Sequence, residues 1–196
     1  YFWKENPIGL PINFDKGELF EGKSGFSFEI APDPENSTNN TGKIITSGEW
    51  WDTAEIMLDN PIQITSAGNN AYSVKIHSPD SDSHTLMMKL EGSSDQEFIE
   101  ISKPFSSPGW NNITFDFSTI STQAWPNSGQ PFDGNADFSK LVFFIDEGTG
   151  KTGTFYIDDI EQFVSGSSTV TPGTLVAGFE DAGSLSGFDG GEQEII

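Results

Sequence analysis

The feature that most constrains the fold of this chain is a two-residue alternation of apolar and polar side chains within short segments. In "AYSVKIHS" (71–78), Tyr72, Val74 and Ile76 share one face and the polar residues between them share the other. "NNITFDFS" (111–118) repeats the pattern, and no window of about a dozen residues holds a helical period. Strands are expected at 10–14, 26–30, 43–46, 53–58, 71–77, 85–90, 97–101, 112–117, 140–145 and 154–160. About ten short strands with turns between them predict an all-β fold, an antiparallel β-sandwich or jelly roll.

The domain organisation is indicated by one segment of linker composition. "VSGSSTVTPGT" (164–174) is small, polar and interrupted by proline. We therefore expect a leader or tag at 1–8, a β-sandwich at 9–163, a linker at 164–174 and the truncated start of a second similar module at 175–196. The last expectation rests on the similarity of "NFDKGELFEGKSGFSFEIAP" (13–32) to "GFEDAGSLSGFDGGEQEII" (178–196). Chance similarity of two stretches rich in glycine and phenylalanine is the alternative.

Charge and cysteine content exclude several classes of function. Thirty acidic residues against nine basic ones give a formal net charge of −21, which repels phosphate backbones and anionic lipid. We expect no nucleic-acid partner, and no membrane insertion because no apolar stretch approaches the roughly 20 residues that span a bilayer. The chain has no cysteine, so it has no disulfide, zinc–thiolate site or thiol nucleophile.

Candidate catalytic groups are few. His77 and His84 are the two histidines, both near ends of predicted neighbouring strands, where a surface-facing histidine is usually structural. Carboxylate pairs are common in so acidic a chain and therefore carry little information. We predict a protein that is not an enzyme, with a small glycoside hydrolase or lyase as an alternative.

The five tryptophans are the stronger signal, because indole rings stack on the C–H faces of sugars. Trp50 and Trp51 are adjacent, so in an extended segment one fills the core and the other faces solvent. The alternation that follows them assigns Trp51 to the face of Glu55, so we predict Trp51 as the main platform, with Trp50 and Glu55 as further ligand-binding candidates. Trp125 lies in a long polar loop and is a second platform or a pin for that loop. Trp110 is expected to cap the core.

Basic residues on the polar strand faces are the remaining candidates. Lys75, His77, Lys89 and Glu91 are predicted to lie on the polar face of neighbouring strands. His77 and Lys89 are candidate ligand contacts, and pairing with acids is the alternative for the lysines.

Several motifs together resemble one family. They are, in order, "LPINFDKG", "NSTNNTGKI", "EWWDTAEIMLDNPIQI", "AYSVKIHSPDSDSHTLMMKLEG", "GWNNITFDFS", "FSKLVFFIDEG" and "GTFYIDDIEQF". Over residues 9–163, and again over 175–196, the chain resembles the β-jelly-roll carbohydrate-binding modules, of the galactose-binding-like fold, that accompany laminarinases and bacterial surface glycan-binding proteins.

The resemblance implies a function. It implies non-catalytic binding of a polysaccharide, first a β-glucan such as laminarin (a β-1,3-glucan). The module would belong to a larger secreted or cell-surface glycan-utilisation protein, with tandem modules or an enzyme in the same chain. A structural spacer without glycan affinity is the alternative.

The resemblance also implies a structural calcium ion. Modules of this fold commonly supply oxygen ligands from the segments "NFDKGE" and "FYIDDI", which carries over to Asp15 and Asp158. Oxygen ligands in an acidic chain without cysteine suit Ca²⁺ and disfavour soft metals. Glu180 stands in the second copy where Asp15 stands in the first.

Overall fold

The protein is described here by a computed structural model, which covers residues 7–64, 68–92, 97–132 and 136–164. Residues 1–6 of the expected leader, and the expected linker and second module beyond residue 164, lie outside the described residues. The strands are β1 (Glu21–Lys23), β2 (Ser27–Pro32), β3 (Asn40–Thr46), β4 (Thr53–Gln63), β5 (Asn69–Ser78), β6 (His84–Gly92), β7 (Phe98–Phe105), β8 (Gly109–Asp116), β9 (Asp137–Ile145) and β10 (Gly153–Val164). One 3₁₀ turn follows β8 at Phe117–Thr119. Within these ranges, no helix is long and apolar enough to span a membrane.

The ten strands form two antiparallel five-stranded sheets. One has the order β1-β4-β9-β6-β7 and is called the β9 sheet; the other has the order β2-β3-β10-β5-β8 and is called the β10 sheet. Strands that follow one another in the chain therefore often lie in different sheets, as β5 and β6 do. This arrangement confirms the predicted antiparallel β-sandwich of about ten strands.

The core lies between the sheets and is built from the apolar set of each alternating segment. On β5 the predicted trio Tyr72, Val74 and Ile76 is fully buried. The other inward-facing residues are large and apolar, and many are isoleucine or phenylalanine, types that suit a pleated surface. They include Ile44, Leu86, Met88, Leu90, Ile99, Phe115, Leu141, Phe143, Phe155 and Ile157.

The first predicted strand, 10–14, is the one that the structure does not contain. Only Ile12 pairs there, in an isolated antiparallel bridge to Ile160 of β10. Pro11 has no backbone N–H to donate, and Phe14 has a left-handed φ of 62°, so a regular ladder cannot continue on either side. Short β1 was not predicted, because three residues carry too little alternation to be recognised.

Candidate functional site

The outer face of the β9 sheet carries rows of side chains that point away from the core. One row crosses four strands through Glu55, Val142, Lys89 and Glu100. A second crosses them through Met57, Lys140, Glu91 and Phe98. Successive residues of a strand alternate between the two faces of a sheet. Because the neighbours of these residues face the core, these residues face outward.

Part of this outer face consists of apolar side chains that are largely buried. Met87, Val142 and Phe144 form a small cluster separate from the core, with 6%, 2% and 6% of their surfaces exposed. Beside it lies a cavity of about 200 Å³, lined by Thr85, Met87, Ser102, Phe144, Asp146, Glu147 and Thr149. The outer face thus offers a small apolar floor with polar groups around it.

Lys89 and Lys140, on the central strands of this face, are each shared between two carboxylates. The Nζ of Lys89 lies 3.8 Å from Glu91 and 3.9 Å from Glu100. The Nζ of Lys140 lies 3.3 Å from Glu55 and 2.7 Å from Glu91. Lys89 is 5% exposed, so these contacts are with a buried cation.

Trp50 and Trp51 lie in a turn before β4. The carboxylate of Asp52 accepts hydrogen bonds from the backbone N–H of Ser47 at 2.7 Å and of Glu49 at 3.2 Å, which closes this turn. Both indoles are therefore exposed, Trp50 by 59% and Trp51 by 51%. The prediction that one of them fills the core is wrong, because the segment is not extended before Thr53.

Trp125 lies beside these two residues. Its ring centroid is 5.7 Å from that of Trp51, at an interplanar angle of 32°, and Trp51 in turn meets Trp50 edge-on at 6.5 Å. Trp125 is 62% exposed. Trp50, Trp51 and Trp125 together are called the tryptophan cluster below.

The tryptophan cluster is attached to the outer face of the β9 sheet at several points. The backbone N–H of Ala124 donates to the carbonyl of Phe98 on β7, 2.6 Å away. Lys89 Nζ donates to the carbonyl of Trp125 and lies 5.4 Å from the centroid of its ring. At the other end, a Cβ added to Gly148 would come within 3.1 Å of the Trp50 ring. The structure thus brings together the predicted residues Trp50, Trp51, Trp125, Glu55 and Lys89 on one face.

His77 does not belong to that face. It pairs with Trp110 and Tyr156 in the β10 sheet, while Lys89 and Glu91 lie in the β9 sheet. The prediction that these residues occupy neighbouring strands is wrong, because β5 and β6 are consecutive in sequence but belong to opposite sheets. His77 Nε2 instead approaches Glu35 at 3.3 Å.

Trp110 is not part of the core either. Its indole N–H donates to Asp33 at 3.2 Å and its ring meets His77 edge-on at 5.4 Å. It is partly buried on the outer face of the β10 sheet, beneath the β2–β3 loop that carries Asp33. The prediction that Trp110 caps the core is therefore wrong, and Trp110 instead anchors this loop.

His84, expected at the surface, is buried. Its Nδ1 lies 2.6 Å from Asp146 Oδ2 and its Nε2 lies 2.9 Å from Asp80 Oδ1. Burial lowers the pKa of His84, but the hydrogen bonds and charges of the two carboxylates raise it by more, so the net shift is upward. Asp146 also accepts from the N–H of Thr85, so this cluster fixes the start of the β9–β10 loop, and its contacts assign it a structural role.

The expected calcium ligands differ in their surroundings. Asp158 is 4% exposed and accepts hydrogen bonds from the Asn39 amide at 2.9 Å and the Asp159 backbone N–H at 2.8 Å. Burial raises its pKa to about 6, against those two hydrogen bonds, which lower it. A buried carboxylate of this kind fits a hard cation, which would supply a neighbouring positive charge.

Asp15 is exposed, and its side chain accepts a hydrogen bond from the Asn13 amide at 3.3 Å. The bridge between Ile12 and Ile160 runs its segment beside β10. Among the described residues, no three Asp, Glu or His side chains are grouped closely enough to hold a metal by themselves. A calcium site here would therefore need backbone carbonyl oxygens in addition to Asp158.

Sequence reasoning missed Glu100, Glu147 and Lys140 as residues of this face. Alternation gives the outward orientation of Glu100 and Lys140, but their strand partners depend on the sheet order. Glu147 lies in the β9–β10 loop. Burial raises the pKa of its carboxyl and the charge of Glu100 raises it further, while Lys89 lowers it. Glu147 therefore interacts electrostatically with the charged residues of the outer face.

No protein-family model and no curated protein matches the chain in sequence. In structure it is similar to the family 11 carbohydrate-binding module of the cellulosomal cellulase Lic26A-Cel5E of Clostridium thermocellum, with a TM-score of 0.53 at 16% identity, covering 80% of this chain and 93% of that one.

It is also similar to a xylan-binding domain of carbohydrate-binding module family 22, with a TM-score of 0.52 at 15% identity, covering 84% of this chain and 99% of that one. The CBM22-1–GH10 modules of the Clostridium thermocellum xylanase Xyn10B, complexed with xylohexaose, give a TM-score of 0.51 at 16% identity, covering 79% of this chain and 27% of that one. At these identities the likeness is one of fold. The chain has the β-sandwich jelly-roll fold of carbohydrate-binding modules.

Proposed function

We propose that this protein binds a polysaccharide, without catalysis, on the outer face of the β9 sheet. The observation that carries the proposal is the tryptophan cluster, in which three exposed indoles lie in contact beside a face of carboxylates, lysines and a cavity. A contiguous exposed apolar patch marks a contact site for a partner, whereas singly exposed aromatic side chains are ordinary. Sugar rings suit them, because their C–H faces stack on indoles while carboxylate and lysine groups bond their hydroxyls.

The shape of the cluster favours a single, curved chain over a flat crystalline surface. The neighbouring rings are inclined to each other by 32° and 66°, so no common plane passes through the three indoles. We propose a β-glucan, first a β-1,3-glucan such as laminarin, whose chain is helical. The fold shared with modules of cellulases and xylanases supports a polysaccharide ligand of this broad class.

We further propose that the module acts within a larger secreted or cell-surface glycan-utilisation protein. One of the structurally similar modules is joined to a GH10 module in its own chain. Weak binding by one site becomes stronger when several sites are linked, because linkage raises the effective concentration of each. A structural Ca²⁺ at Asp158 would stabilise the fold from the side of the β10 sheet, away from the tryptophan cluster.

Affinity electrophoresis and calorimetric titration against laminarin, xylan, mannan and pectin test the proposal. We expect Trp51→Ala and Trp125→Ala to weaken binding of the retained glycan by about ten- to hundredfold, by analogy with base stacking on aromatic side chains, worth about 1–3 kcal/mol. Trp110→Ala is the matched control, since Trp110 lies on the opposite sheet and its loss should leave affinity unchanged. Retardation of the parent by none of the glycans would contradict the proposal, and unaltered affinity in both variants would move the site elsewhere.

A further inference from the structure

The outer face of the β9 sheet has an excess of negative charge. On β4, β9, β6 and β7 and in the adjoining β9–β10 loop, this face carries two lysines and the four carboxylates of Glu55, Glu91, Glu100 and Glu147. Each lysine already contacts two of these carboxylates, at 2.7–3.9 Å. At the edge of the same face, Lys23 of β1 pairs with Glu21 at 2.5 Å. On the described part of this face, therefore, every lysine already has a carboxylate partner.

Glu147 places part of this excess negative charge in the wall of the cavity. It lines the cavity together with Asp146, and among the described residues it forms no ion pair. Glu100 lies on β7, two residues before Ser102, which also lines the cavity. Burial raises the pKa of Glu147, and the charge of Glu100 raises it further. The positive charge of Lys89 offsets the effect of Glu100 on Glu147 only in part, because Lys89 also contacts Glu91.

We propose that Glu100 and Glu147 act as a charge filter, which makes the site selective for neutral polysaccharide chains and excludes chains that carry uronate, carboxymethyl or sulfate groups. The inference rests on the proposed glycan function of this same face. A neutral hydroxyl can donate to either carboxylate, whereas an anionic substituent brings a like charge next to groups whose cations are already shared. Like charges placed together at a partly desolvated site are strongly unfavourable.

The test uses three probes with one backbone: laminarin, carboxymethyl-laminarin and hydroxyethyl-laminarin of equal substitution. The hydroxyethyl derivative adds similar bulk without charge. We expect the parent to bind carboxymethyl-laminarin at least about tenfold more weakly than hydroxyethyl-laminarin in low salt. The ratio of the two affinities should approach one as salt rises to about 1 M, where the screening length is about 3 Å.

The double variant Glu100→Gln/Glu147→Gln separates this filter from the general charge of the chain. Its ratio of hydroxyethyl to carboxymethyl affinity should fall about tenfold relative to the parent. Glu29→Gln removes one charge on the opposite sheet, where Glu29 pairs with Lys43, and should leave the ratio at the parent value.

The outcomes of this test are distinguishable. Equal binding of the two derivatives by the parent, or an unchanged ratio in the double variant, overturns the filter and leaves the glycan function standing. Binding of none of the three probes contradicts the proposed β-1,3-glucan function and the filter together.

Discussion

The ammonium group of Lys89 donates a hydrogen bond to the backbone carbonyl of Trp125, 2.8 Å away. The same nitrogen lies 5.3 Å from the centroid of Phe98 and 5.4 Å from that of Trp125. One buried side chain of the β9 sheet thus ties the long β8–β9 loop to the strands beneath it. Trp125 can be exposed and still be held in place.

Replacing Lys89 by methionine should loosen this loop while keeping the apolar stem of the side chain. A hydrogen bond to a charged group contributes about 1.5–3 kcal/mol, so we expect the free energy of unfolding to fall by roughly that amount. Affinity for laminarin should fall about fivefold or more, because Trp125 loses its fixed position. Chemical denaturation and calorimetric titration measure the two effects.

Lys43→Met is the control for Lys89→Met. Lys43 lies on the β10 sheet and pairs with Glu29 at the surface, where an ion pair is worth at most about 1 kcal/mol. It should change neither quantity by much. Full glycan affinity in Lys89→Met would contradict the role of Lys89 in holding Trp125.

The orientation of side chains toward the core or toward solvent could be predicted where the apolar–polar alternation is regular. Tyr72, Val74 and Ile76 of β5 are buried as their spacing requires, and Glu55 faces outward because Ala54 and Ile56 face inward. Such local patterns depend only on the two-residue period of a strand. The class of fold and most strand positions follow from them.

The candidate site could be predicted only in part, because it depends on contacts between distant segments. His77 and Lys89 looked like neighbours, but the order of strands in the two sheets separates them. Trp50 was assigned by strand alternation, whereas the Asp52 carboxylate closes a turn that ends this alternation. The contact between Trp51 and Trp125 joins residues of two loops, and no local pattern encodes it.

A substitution at Gly148 tests whether Trp50 belongs to the binding surface. Gly148 has a φ of +69°, and an added Cβ would come within 3.1 Å of the Trp50 ring. Gly148→Ala should displace that ring and weaken binding of laminarin about threefold to tenfold, within the scale of one stacking contact. It should also lower stability by about 1–2 kcal/mol, because alanine is strained at positive φ.

Gly150→Ala matches this strain without the contact. Its φ is +75° and an added Cβ would meet nothing within 4 Å. We expect a similar loss of stability by thermal unfolding, with glycan affinity retained. Equal affinities in Gly148→Ala and Gly150→Ala would show that Trp50 contributes nothing to binding.

Removal of calcium should lower stability without abolishing glycan binding. If Ca²⁺ binds at Asp158, it stabilises the folded chain by mass action, by about 2.7 kcal/mol at a free concentration one hundred times its Kd. EDTA should therefore lower the melting temperature of the parent. Asp158→Asn should melt at the same temperature with and without EDTA, while Asp159→Asn, the neighbouring control, should still respond. A melting curve of the parent that EDTA leaves unchanged would rule out the site.

Stability should depend on pH through His84, which lies between Asp80 and Asp146. Although burial lowers the pKa of His84, the two carboxylates raise it to a net value above the ordinary one of about 6.5. The charged imidazole therefore favours the folded state. Its contribution is complete below about pH 6.5 and is lost as the pH rises through the folded-state pKa.

We expect the urea midpoint of the parent to decrease as the pH rises from about 6 to about 9. The midpoint of His84→Gln should be lower than that of the parent at pH 6 and should vary less with pH. Parallel pH profiles of the two proteins would show that the charge on His84 contributes no stability to the fold.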